Sequence, residues 1–489
     1  MENRWNTGSR YSYWNRSKNG RSGGIEVFKK VLIANRGEIA IRIIRACRAL
    51  GIPTVAVYST ADREALHVRL ADERVCIGPP SVRESYLNIP VIVSAALSFG
   101  ADAVHPGYGF LSENGDFAEA CQRSGLTFIG PRVRNIRLMG DKPRARRIME
   151  KAGVPVLPGT SAGTTDVREA QAVAAQIGFP VLLKAAAGGG GRGLRIAHTA
   201  EELVAVFAIA EEEGASAFGN GAIYVEKYVE NPRHIEFQIV ADQHRNIIHL
   251  GERECSIQRR YQKIIEETPS VALTKRLRER MGAAAIKAAR AIGYTNVGTI
   301  EFLLDQQGHF YFIEMNTRVQ VEHAITEMVT GVDIVRAGIL AAAGEALPWR
   351  QRDISFSGHA IECRVVAEDP NTMLPSPGTI RGYHAPGGLG IRVDAGVAEN
   401  SVIPVFYDSL VAKVVAYGKN RDEAIQRMRV ALSEYQIGGI KTNIALHQKV
   451  LQDPEFLAGD VHTRYLDKFL SRPAARPAAA GQKRLAAVV

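Results

Sequence analysis

Within residues 310–323, which read FYFIEMNTRVQVEH, polar side chains occupy every second position from 314 to 322. Successive side chains of an extended strand point to opposite faces, so a single strand would place these polar side chains on one face. They are Glu314, Asn316, Arg318, Gln320 and Glu322. A solvated edge strand with alternating charges is the plain alternative.

The residue types in this segment are typical of phosphate and carboxylate chemistry. Glu314 and Asn316 offer the oxygen ligands that Mg²⁺ takes alongside substrate phosphates. The planar guanidinium of Arg318 suits phosphate or bicarbonate. Glu322 is a candidate general base once a neighbouring cation or desolvation tunes its pKa.

A second carboxylate is expected beside Glu314. Strand 298–304 turns at residues 306–308 and returns as strand 310–314, which predicts a hairpin that brings Glu301 towards Glu314. Carboxylates on adjacent strands repel each other. Mg²⁺ bridging them to nucleotide phosphates would remove that cost.

A run of four glycines, residues 188–191, lies between two short predicted strands, 181–184 and 194–196. Glycine frees the backbone, so we expect a mobile hairpin whose N–H groups wrap phosphate oxygens, with Lys184 adding a positive charge at its base. A flexible linker is the alternative. The run does not match the GxxxxGK[ST] pattern of the P-loop, which indicates a different kind of ATP site.

Further polar residues follow this loop. The end of strand 224–229 would suit an adenine edge read by backbone groups, and strand 233–240 places His234 and Glu236 on one face. Cys255, in the polar cluster 252–263, could be a nucleophile, but a small packing residue is the simpler interpretation. Lys142, taken alone, is typical of solvated surface.

The first third of the chain alternates strands and helices, which predicts a doubly wound parallel sheet ending near residue 135. Its main strands are 30–34, 54–58, 103–105 and 126–130. Dinucleotide binding is excluded because GxGxxG is missing. The loop 106–109 follows the carboxyl end of a strand, where such sheets bind ligands, although a plain turn is the alternative.

Composition indicates a globular protein of two to four domains, with 489 residues, 46% hydrophobic and 23% charged. The five cysteines form no CxxC pair, so a reducing, cytosolic setting is expected, without zinc or disulfides. No apolar run is long enough to predict a membrane span.

The net charge of +10 is concentrated at the two ends of the chain. Residues 1–30 carry seven Lys/Arg and two Glu, and residues 471–489 carry four basic residues and no acid. The folded body is therefore nearly neutral, and no nucleic-acid role is expected. Residues 1–26 are expected to be disordered, or untranslated if Val27 is an alternative start codon.

From about residue 28 to 470 the chain resembles the biotin carboxylase subunit of biotin-dependent carboxylases, which is an ATP-grasp enzyme. The motifs that carry the resemblance are ANRGEIA, HPGYGFLSEN, GGGGRG, EKYVENPRHIE, QRRYQK, FIEMNTRVQVEH, AEDP and LPSPG. The fold class expected is α/β. The expected units are an N-terminal doubly wound parallel sheet at 27–140, ATP-grasp central and lid domains at 141–345 with the lid at about 155–228, a C-terminal α+β antiparallel domain at 346–470, and a disordered tail at 471–489.

The resemblance implies a role for each matching residue. The ATP phosphates and ribose would be contacted by Lys142, Lys184, Gly190, Gly191, His234 and Gln258. The adenine would be held by Glu226, Lys227, Tyr228 and Val229. Two Mg²⁺ or Mn²⁺ ions would be bound by Glu301, Glu314 and Asn316. Bicarbonate would be held by Lys263, Arg318 and the Val321 backbone, and deprotonated by Glu322. Arg364 would stabilise the enolate-like oxygen of biotin.

Among the departures from the family pattern, one matters most. Residue 261 is Tyr, whereas the resemblance implies that this position is most often a His that touches the nucleotide. Tyrosine keeps a ring and a hydrogen-bonding tip, so we expect altered nucleotide affinity rather than lost activity.

The sequence shows neither a biotinylation segment of the Ala-Met-Lys-Met type nor a carboxyltransferase-sized region, so one subunit of a larger enzyme is expected. Its partners would be a biotin carboxyl carrier protein and a carboxyltransferase subunit that serves acetyl-CoA, propionyl-CoA, pyruvate or another acceptor. The resemblance also implies a homodimer. Two other functions stay open: a carboxylate–amine or carboxylate–thiol ligase with the same ATP-grasp parts, and a nucleotide-sensing module without chemistry.

Overall fold

The computed structural model describes residues 27–160, 162–185, 194–218 and 221–472. No helix among these residues is long and apolar enough to cross a membrane. Three larger sheets organise the fold, and they meet around one cleft.

The N-terminal unit is built on a five-stranded parallel sheet in the order β3-β2-β1-β4-β5. Its strands are β1 (Val31–Ile33), β2 (Thr54–Ser59), β3 (Glu73–Gly78), β4 (Ala103–His105) and β5 (Thr127–Phe128). Its helices are α1 (Gly37–Ala49), α2 (Leu66–Leu70), α3 (Ile89–Ser98), α4 (Gly115–Arg123) and α5 (Val133–Gly140). Strand β1 is buried on both faces, as helices covering a parallel sheet require. The predicted doubly wound sheet is confirmed.

The helix α6 (Lys142–Lys151) leads to a small unit with its own apolar core, which includes Leu183, Phe207 and Val225. An antiparallel sheet in the order β7-β6-β8 forms it. Its elements are α7 (Val167–Ile177), β6 (Val181–Ala185), β7 (Leu194–Ala197), α8 (Ala200–Phe218) and β8 (Ile223–Lys227). We call this unit the lid. The two strands predicted to flank the glycine run pair as expected, whereas Gly190 and Gly191 lie outside the described residues.

An eight-stranded antiparallel sheet forms the body, in the order β13-β12-β9-β10-β11-β14-β19-β17. Its first strands are β9 (Arg233–Ala241), β10 (Ile247–Arg259), β11 (Gln262–Thr268), β12 (Asn296–Leu304) and β13 (Phe310–Asn316). The remaining strands are β14 (His359–Val366), β15 (Gly378–Thr379), β16 (Arg381–His384), β17 (Ile391–Ala395), β18 (Val402–Ile403), β19 (Leu410–Gly418) and β20 (Gln436–Gly438), of which β15–β18 and β16–β20 form two small sheets. The helices are α9 (Lys275–Ala291), α10 (His323–Thr330), α11 (Ile334–Ala342), α12 (Arg421–Glu434), α13 (Ile444–Val450), α14 (Pro454–Leu457) and α15 (Tyr465–Ser471).

The prediction that one strand carries all the polar residues of 310–323 is wrong. Strand β13 ends at Asn316, and Glu322 stands at the N-terminus of α10. The backbone leaves the sheet because side chains take its hydrogen-bonding groups: Glu113 accepts from the Thr317 N–H, and Lys413 donates to the Val321 carbonyl. We call residues 317–322 the β13–α10 loop.

Candidate active site

A cleft of about 1240 Å³ lies between the lid, the body sheet and the N-terminal unit. Sixteen of the predicted site residues line it, namely Lys142, Lys184, Glu226, Lys227, Tyr228, Val229, His234, Gln258, Tyr261, Lys263, Glu301, Glu314, Asn316, Arg318, Val321 and Arg364. Glu322 is fully buried and binds Lys263 and Arg364, two residues of this lining. The structure therefore brings the predicted residues together, apart from the two glycines outside the described chain.

The expected carboxylate pair forms on the hairpin of β12 and β13, where Glu301 is the register partner of Glu314. Glu301 Oε1 accepts hydrogen bonds from Asn316 Nδ2 at 2.8 Å and from Lys263 Nζ at 2.9 Å. Burial alone would raise the pKa of Glu301, but Lys263 and His234 hold it well below its usual value. Two carboxylates and an amide oxygen at one end of the cleft fit the oxygen ligands of Mg²⁺.

Glu322 is held between two cations. Its Oε1 lies 2.7 Å from Lys263 Nζ, and its Oε2 lies 2.8 Å from an Arg364 nitrogen. Burial raises the pKa of Glu322, but Lys263, Arg364 and Arg253 together hold it well below the usual range. Glu322 is therefore ionised, and its basicity depends on how closely these cations stay.

Lys263 is the hub of the charged cluster. Its ammonium donates to Glu236, to Glu301 at 2.9 Å and to Glu322 at 2.7 Å. Burial alone would lower the pKa of Lys263, but these three carboxylates raise it well above its ordinary value. A lysine shared by three acids can turn towards an incoming anion and still keep partners for its remaining N–H groups.

Arg318 lies in the β13–α10 loop, and hydrogen bonds fix its guanidinium on several sides. Its Nε donates to Glu113 Oε2 at 2.9 Å, Nη1 to Gln320 Oε1 at 2.9 Å, and Nη2 to Asn316 Oδ1 at 3.1 Å. The planar guanidinium thereby links the candidate metal ligands to the rest of the loop.

The lid side of the cleft carries the candidate nucleotide contacts. Lys184 Nζ donates to Glu226 Oε2 at 2.5 Å, and Arg146 lies 3.3 Å from the other oxygen of Glu226. Lys142 lines the same cleft and pairs with Glu314 at 3.0 Å, so the expectation of a solvated surface lysine underestimates its place in the cleft. In this structure both candidate phosphate-binding lysines are thus paired with acids.

Tyr261 stands at the tip of the hairpin between β10 and β11, with 66% of its surface exposed. It and Arg260 both adopt left-handed backbone conformations, with φ of 65° and 49°. Such a turn normally favours Asn or Gly. Strain held at a cleft lip is typical of functional sites.

Sequence reasoning missed the buried polar residues behind the cleft. Arg253 is fully buried and donates to Glu236 at 2.5 Å and to Gln238 at 2.7 Å. The only signal in the sequence that could have indicated its burial is its position on the inward-facing side of a strand. Cys255 is buried as well, and its Sγ lies 3.9 Å from Glu322. Burial raises the pKa of this thiol well above its usual value, which favours the packing interpretation.

The lid, the antiparallel sheet and the opposed carboxylates with their lysines define an ATP-grasp ligase. Three family models match the chain: the biotin carboxylase N-terminal domain over residues 27–136, the carbamoyl-phosphate synthase L chain ATP-binding domain over 141–350, and the biotin carboxylase C-terminal domain over 362–468.

Curated relatives and solved structures agree with these matches. Biotin carboxylase 1 of Bacillus subtilis is 55% identical over 445 residues, which cover 91% of this chain and 99% of the relative. A pyruvate carboxylase subunit of Methanothermobacter thermautotrophicus is 54% identical over 444 residues, covering 91% of this chain and 90% of the relative.

Among solved structures, the biotin carboxylase domain dimer of the Hydrogenobacter thermophilus 2-oxoglutarate carboxylase, in complex with MgADP, ADP and bicarbonate, is similar with a TM-score of 0.85 and 52% identity. The match covers 92% of this chain and 99% of that one. The chain belongs to the biotin carboxylase family, and its reaction is the ATP-dependent carboxylation of biotin. Biotin carboxylation is thereby favoured over the other ligase chemistry and over nucleotide sensing alone.

Proposed function

We propose that the cleft carries out the first half-reaction of a multisubunit carboxylase, in which bicarbonate is activated by MgATP and its carboxyl group is transferred to biotin on a carrier protein. The observation that carries the proposal is the ionised Glu322, pinned between Lys263 and Arg364 and close to the Glu301–Glu314 pair. Nucleotide binding alone would not need such a buried base.

Nucleotide binding would exchange partners within existing ion pairs. Lys142 and Lys184 would leave Glu314 and Glu226 for the phosphates, which frees Glu314 to join Glu301 and Asn316 as metal ligands. Mg²⁺ bound there would neutralise charge on the transferring phosphoryl group. The strand end at Tyr228 and Val229 would present backbone groups to the adenine, and His234 with Gln258 would face the ribose.

Bicarbonate would be held by Lys263, Arg318 and the Val321 N–H. When Lys263 turns towards this anion, its ion pair with Glu322 weakens and the depressed pKa of Glu322 rises. Glu322 can then take the bicarbonate proton while a bicarbonate oxygen attacks the γ-phosphorus of ATP, releasing ADP and forming carboxyphosphate. Closure of the lid would keep water from this mixed anhydride.

Biotin would enter beside Arg364. This guanidinium donates to Glu266 and Glu322, so it is already oriented at the cleft wall and carries a positive charge. Carboxyphosphate would break down into CO₂ and phosphate, and the released phosphate would take the proton of biotin N1. Arg364 would stabilise the enolate-like ureido oxygen that develops as this proton leaves, and N1 would then bond to the carbon of CO₂.

The proposed assembly with other proteins follows from the similar proteins. One relative is named as a subunit of pyruvate carboxylase, and one similar structure is a dimer. We therefore place this chain in a homodimer that works with a biotin carboxyl carrier protein and a carboxyltransferase subunit. The five cysteines are free thiols, which supports a reducing, cytosolic setting.

The proposal is tested by phosphate release from MgATP in bicarbonate buffer, with and without free biotin, against a control stripped of carbon dioxide. We expect release that needs bicarbonate and rises with biotin. Release that is indifferent to both would overturn the proposal.

A further inference from the structure

A carboxylate of the N-terminal unit contacts the β13–α10 loop. Glu113 lies in the turn that precedes α4, 205 residues before Arg318 in the chain. Its Oε2 accepts from Arg318 Nε at 2.9 Å, and its Oε1 accepts from the Thr317 backbone N–H at 2.9 Å. One side chain therefore holds both the guanidinium and the first backbone N–H of the loop.

The hydrogen-bond count of Arg318 shows what this contact achieves. A guanidinium has five N–H groups in a rigid plane. Glu113 takes the one on Nε, the Val319 carbonyl and Gln320 Oε1 take the two on Nη1, and Asn316 Oδ1 takes one of the two on Nη2. Among the described residues, one N–H of Nη2 is left to donate to another group.

The Glu113 contact is the charged one in this set, because the other three acceptors are a carbonyl and two amides. Charge-assisted hydrogen bonds are stronger and more directional than neutral ones. Without it, the arginine would keep only neutral acceptors, two of which, Asn316 and Gln320, also donate to Glu301. Rotation of the guanidinium would then be easier, and the direction of its remaining N–H would be lost.

We propose that Glu113 is a positioning residue that aims Arg318 at bicarbonate, so that the N-terminal unit forms part of the bicarbonate site. The inference rests on the proposed role of Arg318 in holding this anion. Glu113 acts through Arg318 and does not itself touch the substrate.

The test is Glu113→Gln, which keeps the size of the side chain but replaces one acceptor oxygen by a donor. We expect the KM for bicarbonate to rise about tenfold, since a hydrogen bond to a charged group is lost. The KM for MgATP should stay within about twofold, and the melting temperature should stay unchanged, because 40% of the Glu113 side chain is exposed.

The matched control is Asp116→Asn. Asp116 lies three positions further along, is 79% exposed, and pairs with Arg137 on the outside of the same unit. The Asp116→Asn variant loses the same negative charge as Glu113→Gln, yet its KM values for bicarbonate and MgATP should both be those of the wild type. The double variant Glu113→Gln/Arg318→Lys gives a second test. Its bicarbonate KM should be no higher than that of Arg318→Lys alone, because the guanidinium that Glu113 would position is already gone.

An unchanged bicarbonate KM in Glu113→Gln would overturn the inference. So would a joint rise of both KM values with a lower melting temperature, or full additivity with Arg318→Lys, since these outcomes indicate general loosening. Failure of the proposed function is distinguishable, because then the wild-type protein itself would show no bicarbonate-dependent phosphate release.

Discussion

At the scale of single residues, Glu322 and Glu362 are similar in burial but differ in charge state. Both are fully buried glutamates. Glu322 has a cation on each oxygen, whereas neither oxygen of Glu362 has a hydrogen-bond partner among the described residues. Burial raises the pKa of Glu362 well above its usual value. Lys413 opposes this shift, whereas Glu266, directly opposite on the neighbouring strand, adds to it, so this acid is neutral.

The same substitution should therefore have a large effect at Glu322 and almost none at Glu362. Glu322→Gln removes the general base and should lower kcat at least about 100-fold. Glu362→Gln replaces one neutral group by another and should leave kcat within about twofold, with little change in melting temperature. Bicarbonate-dependent phosphate release and thermal unfolding measure both effects, and equal losses in the two variants would contradict the assigned charge states.

Tyr261 offers a second prediction at this scale. Its exposed ring stands at the cleft mouth on a two-residue left-handed turn. Tyr261→Ala should raise the KM for MgATP about threefold to tenfold, the size of a lost aromatic contact, without lowering kcat by more than about twofold. Tyr261→His, which keeps an aromatic ring and a hydrogen-bonding tip, should keep a KM close to the wild-type value. An unaltered KM in the alanine variant would remove Tyr261 from the nucleotide site.

At the scale of elements, the attachment of the lid depends on one close backbone approach. Gly159 bridges to Glu226 at the end of β8, and a Cβ added at Gly159 would lie 2.3 Å from the Val225 carbonyl oxygen. That oxygen belongs to a strand held in the lid sheet, so moving it aside would disturb the pairing of the strand.

Gly159→Ala should therefore push β8 away from the segment that leads into the lid. Because Glu226 and its partner Lys184 move with β8, we expect the KM for MgATP to rise severalfold and the melting temperature to fall. Gly140→Ala is the control, since an added Cβ there meets nothing within 4 Å and alanine favours a helix. Equal KM values in the two variants would show that the approach does not position the lid.

The elements also show where sequence reasoning succeeds. The hairpin that pairs Glu301 with Glu314 could be predicted, because alternation and a short turn are local signals. The path of the β13–α10 loop could not be predicted, because Glu113 and Lys413 determine it from distant parts of the chain. The positions of buried ionic residues such as Arg253 could not be predicted for the same reason. A buried charge is stable only when the fold supplies all its partners.

At the scale of the whole molecule, buried groups make opposing contributions to stability as the pH changes. Burial lowers the pKa of His67, His249 and His447 to about 4, so the unfolded chain binds their protons first as pH falls below about 6.5. Each such histidine lowers stability between pH 6.5 and 4. Burial raises the pKa of Glu266 to about 7, so the folded chain binds this proton first and gains stability as pH falls from 7 towards 4.5. Replacing one of these residues by a side chain that does not titrate separates its contribution from the others.

The substitution His447→Gln isolates the contribution of one buried histidine to the pH dependence of stability. The imidazole is fully buried and its Nε2 lies 2.7 Å from the Arg364 carbonyl, a hydrogen bond that a glutamine amide can also donate. Because glutamine does not titrate, the variant should gain about 2 kcal/mol of unfolding free energy relative to the wild type between pH 7 and pH 5, as a shift from 6.5 to about 4 requires. His384→Gln, at an exposed site, should show no such change. Denaturant unfolding at the two pH values measures the difference, and a constant gap between His447→Gln and the wild type would mean that this histidine takes up its proton equally well in the folded and unfolded chains.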